Sequence, residues 1–118
     1  MALSPRAVTA VLRSSRRPAR LVAFYRDVLG LPLEPVRTPG FPPHHGCELG
    51  YVYFAVLRSA QKSGSSTCVA FLVDDVVAAS AALRAAGVAQ VHPPKRTAMG
   101  LISRFLDPDE NPFELYQP

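Results

Sequence analysis

Apolar residues recur along this chain with the two periods that separate helix from strand. Leu21, Phe24, Tyr25 and Val28 stand at i, i+3, i+4 and i+7, the stripe of an amphipathic helix. Pro18 suits its first turn, the Ser14-Ser15 pair offers a cap, and Gly30 is a typical stop. A second stripe, Val76, Ala79, Leu83 and Ala86, begins after the capping candidates Asp74 and Asp75 and stops at Gly87. Around these helices the period falls to two or the chain turns apolar and β-branched. Strands are predicted over 7–12, 31–36, 47–49, 52–57, 67–73, 89–92, 101–106 and 112–116. Pro32 and Pro35 confine the second of these to a sheet edge, Gly50-Tyr51 reads as a tight hairpin turn, and 38–46 and 93–100 read as loops.

The order strand, helix, strand, strand, strand therefore occurs twice, at an offset of roughly 55 to 57 residues. The expected organisation is one domain, 1–118, of two modules at about 5–58 and 67–118 joined by the polar linker 59–66. At 118 residues and 48% apolar content the chain can bury a core without staples. One helix per module covers one sheet face, which leaves the other faces able to curve around a cleft.

Candidate chemistry concentrates near the end, in Leu-Asp-Pro-Asp-Glu-Asn-Pro-Phe-Glu-Leu-Tyr at 106–116. Pro108 with Asp107, Asp109 and Asn111 makes a turn, and alternation beyond it puts Phe113 and Leu115 on one face and Glu114 on the other. If Leu101, Ser103 and Phe105 also face a helix, Arg104 shares Glu114's side and can pair with it or with an anionic ligand. A lone strand carboxylate serves either as a solvated side chain or as a hold on a metal or polar ligand. Tyr51, Tyr53 and Phe54 offer flat walls to such a cleft, and Cys68 reads as a small buried hydrophobe rather than a nucleophile. His44 and His45 fall in the predicted loop before Cys47; His45, Cys68 and Glu114 could meet only irregularly, since nothing sets a ligand spacing. His92, followed by two prolines, reads as a structural or rim residue.

Charge changes the picture little. The net +4 is concentrated in Arg6, Arg13, Arg16, Arg17, Arg20 and Arg26, but no aromatics interleave them, so a solvated helix start is expected rather than a nucleic-acid surface. No apolar run approaches the roughly 18 residues of a membrane span. Two distant cysteines without metal-type spacing suggest reduced thiols and a cytoplasmic location.

Taken together, residues 23–31, 69–76, 85–88 and 107–115 resemble the glyoxalase/bleomycin-resistance/dioxygenase family, the vicinal oxygen chelate proteins. The resemblance spans nearly the whole chain. It implies an α+β fold of paired βαβββ modules forming a cup-shaped mixed sheet, a homodimer, and a small molecule bound in the cup. In the metal-using branches, histidines or acids from the first strand of each module join acids or histidines of later strands around a divalent ion. Here Glu114 matches the last-strand acid, but Ala10 or Val11 and Cys68 stand at the module starts, and Arg58 stands where a histidine is frequent. Guanidinium has no lone pair to give. The resemblance thus implies a binder of a small organic molecule, with Glu114, Arg104, Tyr53 and Cys68 as ligand-binding candidates, no cofactor and no complete metal site. Should a metal bind, Glu114 would hold it with His45 as the weaker second ligand. The alternative is a metal-dependent glyoxalase-type lyase, isomerase or dioxygenase. No residue is assigned a catalytic role.

Overall fold

The computed structural model describes residues 3–60 and 67–118, so most of the predicted linker, 61–66, lies outside the described residues. Both helices form where the apolar stripes put them, and both end at glycines of positive φ, Gly30 at 83° and Gly87 at 82°. The first, α1 (Pro18–Ala23), runs straight into a π-helical turn, Phe24–Val28. Pro18 occupies its first turn as expected, but the cap position is Arg17, without a side-chain cap; Ser15 remains in the preceding strand, where its Oγ accepts the Arg17 N–H at 3.0 Å. Wider π winding rotates the stripe. Leu21, Val22, Phe24 and Tyr25 are buried, whereas Val28, expected to be buried, is 43% exposed. The second helix, α2 (Val76–Ala85), is capped by Asp75, whose carboxylate accepts the Ala78 N–H at 3.0 Å. It buries Val76, Ser80 and Leu83, while Ala86 lies past its end and is exposed.

Eight strands complete the chain: β1 (Ala10–Ser15), β2 (Glu34–Val36), β3 (His44–Leu49), β4 (Val52–Arg58), β5 (Val69–Leu72), β6 (Gln90–Thr97), β7 (Gly100–Leu106) and β8 (Pro112–Gln117). They form two four-stranded mixed sheets with the same topology, β1-β4-β3-β2 and β5-β8-β7-β6. In each, the first and last strands of a module pair in parallel and the rest pair antiparallel. This is the expected pair of βαβββ modules. Two predicted loops are corrected. His44 and His45 open β3 rather than lying in a loop, because the β4 hairpin extends its ladder to His44 opposite Leu57. Residues 93–97, also read as a loop, belong to the edge strand β6, which accommodates Pro93 and Pro94 through register shifts between Gln90 and Lys95.

The inner faces of both sheets share one core. Tyr25 packs edge-on against Phe54 of the first sheet at 4.9 Å and near Phe113 of the second at 6.4 Å, with Phe24 also on Phe113 at 5.7 Å. Polar groups fasten the same junction. Asp107, in the β7–β8 turn, accepts the Tyr25 hydroxyl at 2.6 Å, the Asn111 side-chain amide at 2.8 Å, and the main-chain N–H groups of Asp109 and Asn111 at 2.9 Å each. Arg13 of β1, 4% exposed, donates across the modules to the carbonyls of Pro112 at 2.9 Å and Thr67 at 3.2 Å. Arg20 bonds Asp109 at 2.5 Å. The predicted arginine cluster is thereby dispersed: Arg13 is interior, Arg20 serves the turn, and Arg26 pairs with Asp27.

With the inner faces joined in this way, the chain is a slab of 43 × 41 × 25 Å. Its radius of gyration, 15.1 Å, exceeds the about 13.5 Å expected of a compact domain this long. The outer sheet faces stay open, leaving Leu12 of β1 and Leu72 of β5 59% and 71% exposed.

Burial first, and then the Asp107 charge, push the Tyr25 phenol far above its ordinary pKa. Removing its hydroxyl leaves a buried carboxylate short of one donor, so Tyr25→Phe is expected to cost about 1–3 kcal/mol at neutral pH. A phenol with a raised folded-state pKa contributes fully below its unfolded value and loses that contribution as pH climbs above it. The stability gap between wild type and Tyr25→Phe should therefore narrow by about 1.4 kcal/mol per pH unit above about pH 10. Denaturant titrations at pH 9 and 11 measure this; an unchanged gap would show that the phenol is not held in its neutral form.

Candidate functional site

Alternation along β7 and β8 turns Arg104 and Glu114 outward as direct cross-strand partners, while Ser103, Phe105, Phe113 and Leu115 go inward. Arg104 donates Nε at 3.1 Å and Nη2 at 2.9 Å to the same oxygen, Glu114 Oε2. That bond holds the guanidinium's pKa above its usual value. Among the described residues, Glu114 Oε1 and Arg104 Nη1 have no further hydrogen-bond partner. A half-exposed pair contributes about 1 kcal/mol or less to stability. What it does provide is an oriented acceptor and donor side by side on an apolar sheet face.

Cys68, just before β5, feels the charges of both partners. Burial, and next the Glu114 carboxylate, push its thiol up, with Arg104 and Arg13 opposing. It stays protonated at neutral pH and is a poor nucleophile or metal ligand there. Alternation back from Ala70, the strand partner of Glu114, puts Cys68 on the same outward face as Glu114 and Arg104.

Tyr53 is not with them. It lies on the open face of the first sheet, where its hydroxyl meets His44 Nε2 at 3.0 Å, and His44 Nδ1 in turn faces the Pro42 carbonyl at 3.0 Å. A carbonyl only accepts, so in the neutral imidazole Nδ1 carries the proton and Nε2 accepts from Tyr53. The phenol then presents its lone pairs outward, as an acceptor for a ligand N–H or O–H. Gly46, two residues along β3 on the same face, makes room: a Cβ there would overlap the Tyr53 ring and hydroxyl. Strand pairing through the Gly50-Tyr51 turn puts His44 and Tyr53 on one face but opposite Leu57 and Glu48 respectively, so the contact depends on the ring crossing Gly46 and is not readable from register alone.

His45 points the opposite way. It pairs in register with Val56 and Pro35, on the helix side of the first sheet, while Glu114 faces outward on the second. The two are not positioned to share an ion. Among the described residues no three His, Cys, Asp or Glu side chains gather into a group able to hold a metal, and Glu114's nearest charged neighbour is a cation that cannot ligate. Among the described residues, the donors on this face do not make up a transition-metal site.

Two hollows accompany these faces. One, of about 590 Å³, lies at the seam between the modules, with Val11, Leu49, Phe54, Val69, Phe71 and Leu115 in its wall. The other, of about 320 Å³, lies beside β2 and the start of α1. Neither is lined by Glu114, Arg104, Tyr53 or Cys68. The four candidate ligand residues stand on two sheet faces, Tyr53 on the first and Glu114, Arg104 and Cys68 on the second.

The sequence matches the Glyoxalase/Bleomycin resistance protein/Dioxygenase superfamily over residues 8–115. The chain belongs to that superfamily. Solved structures of several other proteins share its fold. An antibiotic-binding protein, TnmS3, from Streptomyces sp. CB03234 superposes with a TM-score of 0.77 at 23% identity, over 99% of both chains. A superfamily member from Sphaerobacter thermophilus gives 0.75 at 22% identity, over 98% of this chain and 100% of that one. A lactoylglutathione lyase from Agrobacterium tumefaciens gives 0.68 at 20% identity, over 97% and 95%. No curated protein sequence matches the chain. At these identities the superfamily fold is common ground, and both a binder and an enzyme use it.

Gly46 tests the first-sheet arrangement. Gly46→Ala is expected to destabilise by about 1–3 kcal/mol by displacing the tyrosine, and most of that cost should vanish in a Tyr53→Ala background. A denaturant double-mutant cycle measures the coupling; equal costs in both backgrounds would mean that the tyrosine does not lie over Gly46.

Proposed function

We propose that the protein binds a small organic molecule between open sheet faces, without a resident transition metal, and that two copies of the chain form the enclosure. The observation that carries this reading is the outward Arg104–Glu114 pair, with an unused acceptor and donor on a face that the chain's own core leaves uncovered. In a two-fold assembly the Tyr53–His44 face of one chain would oppose the Arg104–Glu114 face of the other, giving a cleft with polar groups at both ends and aliphatic walls including Leu12 and Leu72. The slab shape and the solvent-facing leucines support association. The likeness to TnmS3, an antibiotic-binding protein, supports binding over turnover as the function.

Other features agree. Among the described residues no helix is long and apolar enough to cross a membrane. The free thiols Cys47 and Cys68 fit a reducing compartment, and we place the protein in the cytoplasm. Dispersal of the arginines argues against nucleic acid as a partner.

Light scattering at micromolar concentration should give the mass of two chains. Thermal-shift screening of small aromatic and polar metabolites should find a stabilising ligand, and Glu114→Gln should weaken its binding by roughly tenfold or more while leaving the chain folded. A monomer mass together with ligand binding indifferent to Glu114 would sink the reading. Elemental analysis of untagged protein finding about one zinc, nickel or manganese per chain, lost in Glu114→Gln, would replace it with the metal-dependent lyase, isomerase or dioxygenase.

A further inference from the structure

The smaller hollow has a character of its own. It lies on the helix side of the first sheet, behind the strands that carry His44 and Tyr53, and its volume is about 320 Å³. Strand register explains its lining. Pro35, His45 and Val56 form one row across β2, β3 and β4; two residues beyond Val56, Arg58 projects from the same face, and Arg37 follows β2 on that side. Pro18 of α1 contributes to the wall opposite the sheet.

Four cationic or protonatable residues, Arg37, His44, His45 and Arg58, therefore line one hollow, and no carboxylate lines it; strand alternation turns the side chains of Arg37, His45 and Arg58 to this side of the sheet. The same alternation removes the nearest acids. Glu34 pairs with Gly46 and Glu48 with Tyr53, so both point to the opposite face of the sheet. The Arg37 and His45 side chains have no hydrogen-bond partner among the described residues, and the one side-chain bond from Arg58 is a long 3.4 Å contact to the Arg16 carbonyl. By contrast, Arg13, Arg20, Arg26 and Arg104 all bond carbonyls or carboxylates at 3.2 Å or less. Two arginines without a carboxylate around an apolar-walled hollow amount to unused donor capacity in one place.

We infer that this hollow is a second binding site, separate from the open sheet faces, for a small organic anion: a carboxylate or phosphate ester on a compact apolar body. The oxyanion lies between Arg37 and Arg58, each able to present a planar fork of donors, and His45 adds a third contact. The apolar body rests on Pro18, Pro35 and Val56. Its volume is at the lower end of the roughly 300–1,000 Å³ of ligand pockets, which suits a single ring and excludes a nucleotide.

The test uses the full chain with three probes, benzoate, phenyl phosphate and inorganic phosphate, titrated by NMR to about 10 mM. The expected result is saturable binding of benzoate, phenyl phosphate or both, tighter than inorganic phosphate, with amide shifts centred on residues 35–37, 43–45 and 56–58. Arg37→Ala and Arg58→Ala, both exposed positions, should each weaken it by roughly tenfold. Preference between the two organic probes assigns the oxyanion. Absence of saturation with all three, indifference to both arginine variants, or shifts centred on Arg104 would each overturn the assignment. Failure here leaves the reading of the open faces standing, since it concerns neither Glu114 nor Tyr53.

Discussion

A buried hydrogen bond from Tyr25 to Asp107 is the constraint on which the rest of this structure depends. It joins the helix of one module to the turn of the other, inside a core where an unmatched carboxylate would be costly. Asp107 tolerates burial because four donors converge on it. Arg13 works in the opposite direction, carrying donors from the first sheet to carbonyls of the second module. Apolar packing alone would hold the modules together in many registers; these directional bonds select one.

That choice determines where function can reside. Because both inner faces are spent on a common core, each sheet has one outer face left. Strand parity then sorts the side chains: Arg104 and Glu114 outward on the second sheet, Tyr53 and His44 outward on the first, and His45, Arg58 and Arg37 behind it. Adjacent histidine side chains thus turn to opposite faces. His44 orients a phenol, while His45 turns toward the basic hollow that both residues line.

Much of this was legible in the sequence because period and punctuation agreed. The helices, the repeat of modules, the inward Phe113 and Leu115 and the outward Arg104–Glu114 pair all follow from alternation and 3.6-residue spacing. Strand limits are hidden where a proline or a glycine lies inside a strand. Pro93 and Pro94 lie within an edge strand, where a missing N–H is tolerated, and the glycine in His-His-Gly-Cys creates room for a tyrosine rather than a turn. Val28 departs from its apolar stripe because nothing in residue type announces a π turn. The Tyr25–Asp107 bond, between residues 82 apart in the chain, was invisible to any local reading. Nor does alternation say whether two open faces meet within one chain or between two.

Complementation decides that point most directly. With a ligand in hand, Glu114→Gln and Tyr53→Ala proteins, each impaired alone, can be mixed and allowed to exchange subunits. If one chain's first sheet faces its partner's second, each mixed dimer contains one intact site and one doubly altered site. Random exchange should then restore wild-type affinity to about a quarter of all sites. Binding by the mixture no better than by the separate variants, under conditions where subunits demonstrably exchange, would contradict a site shared between chains.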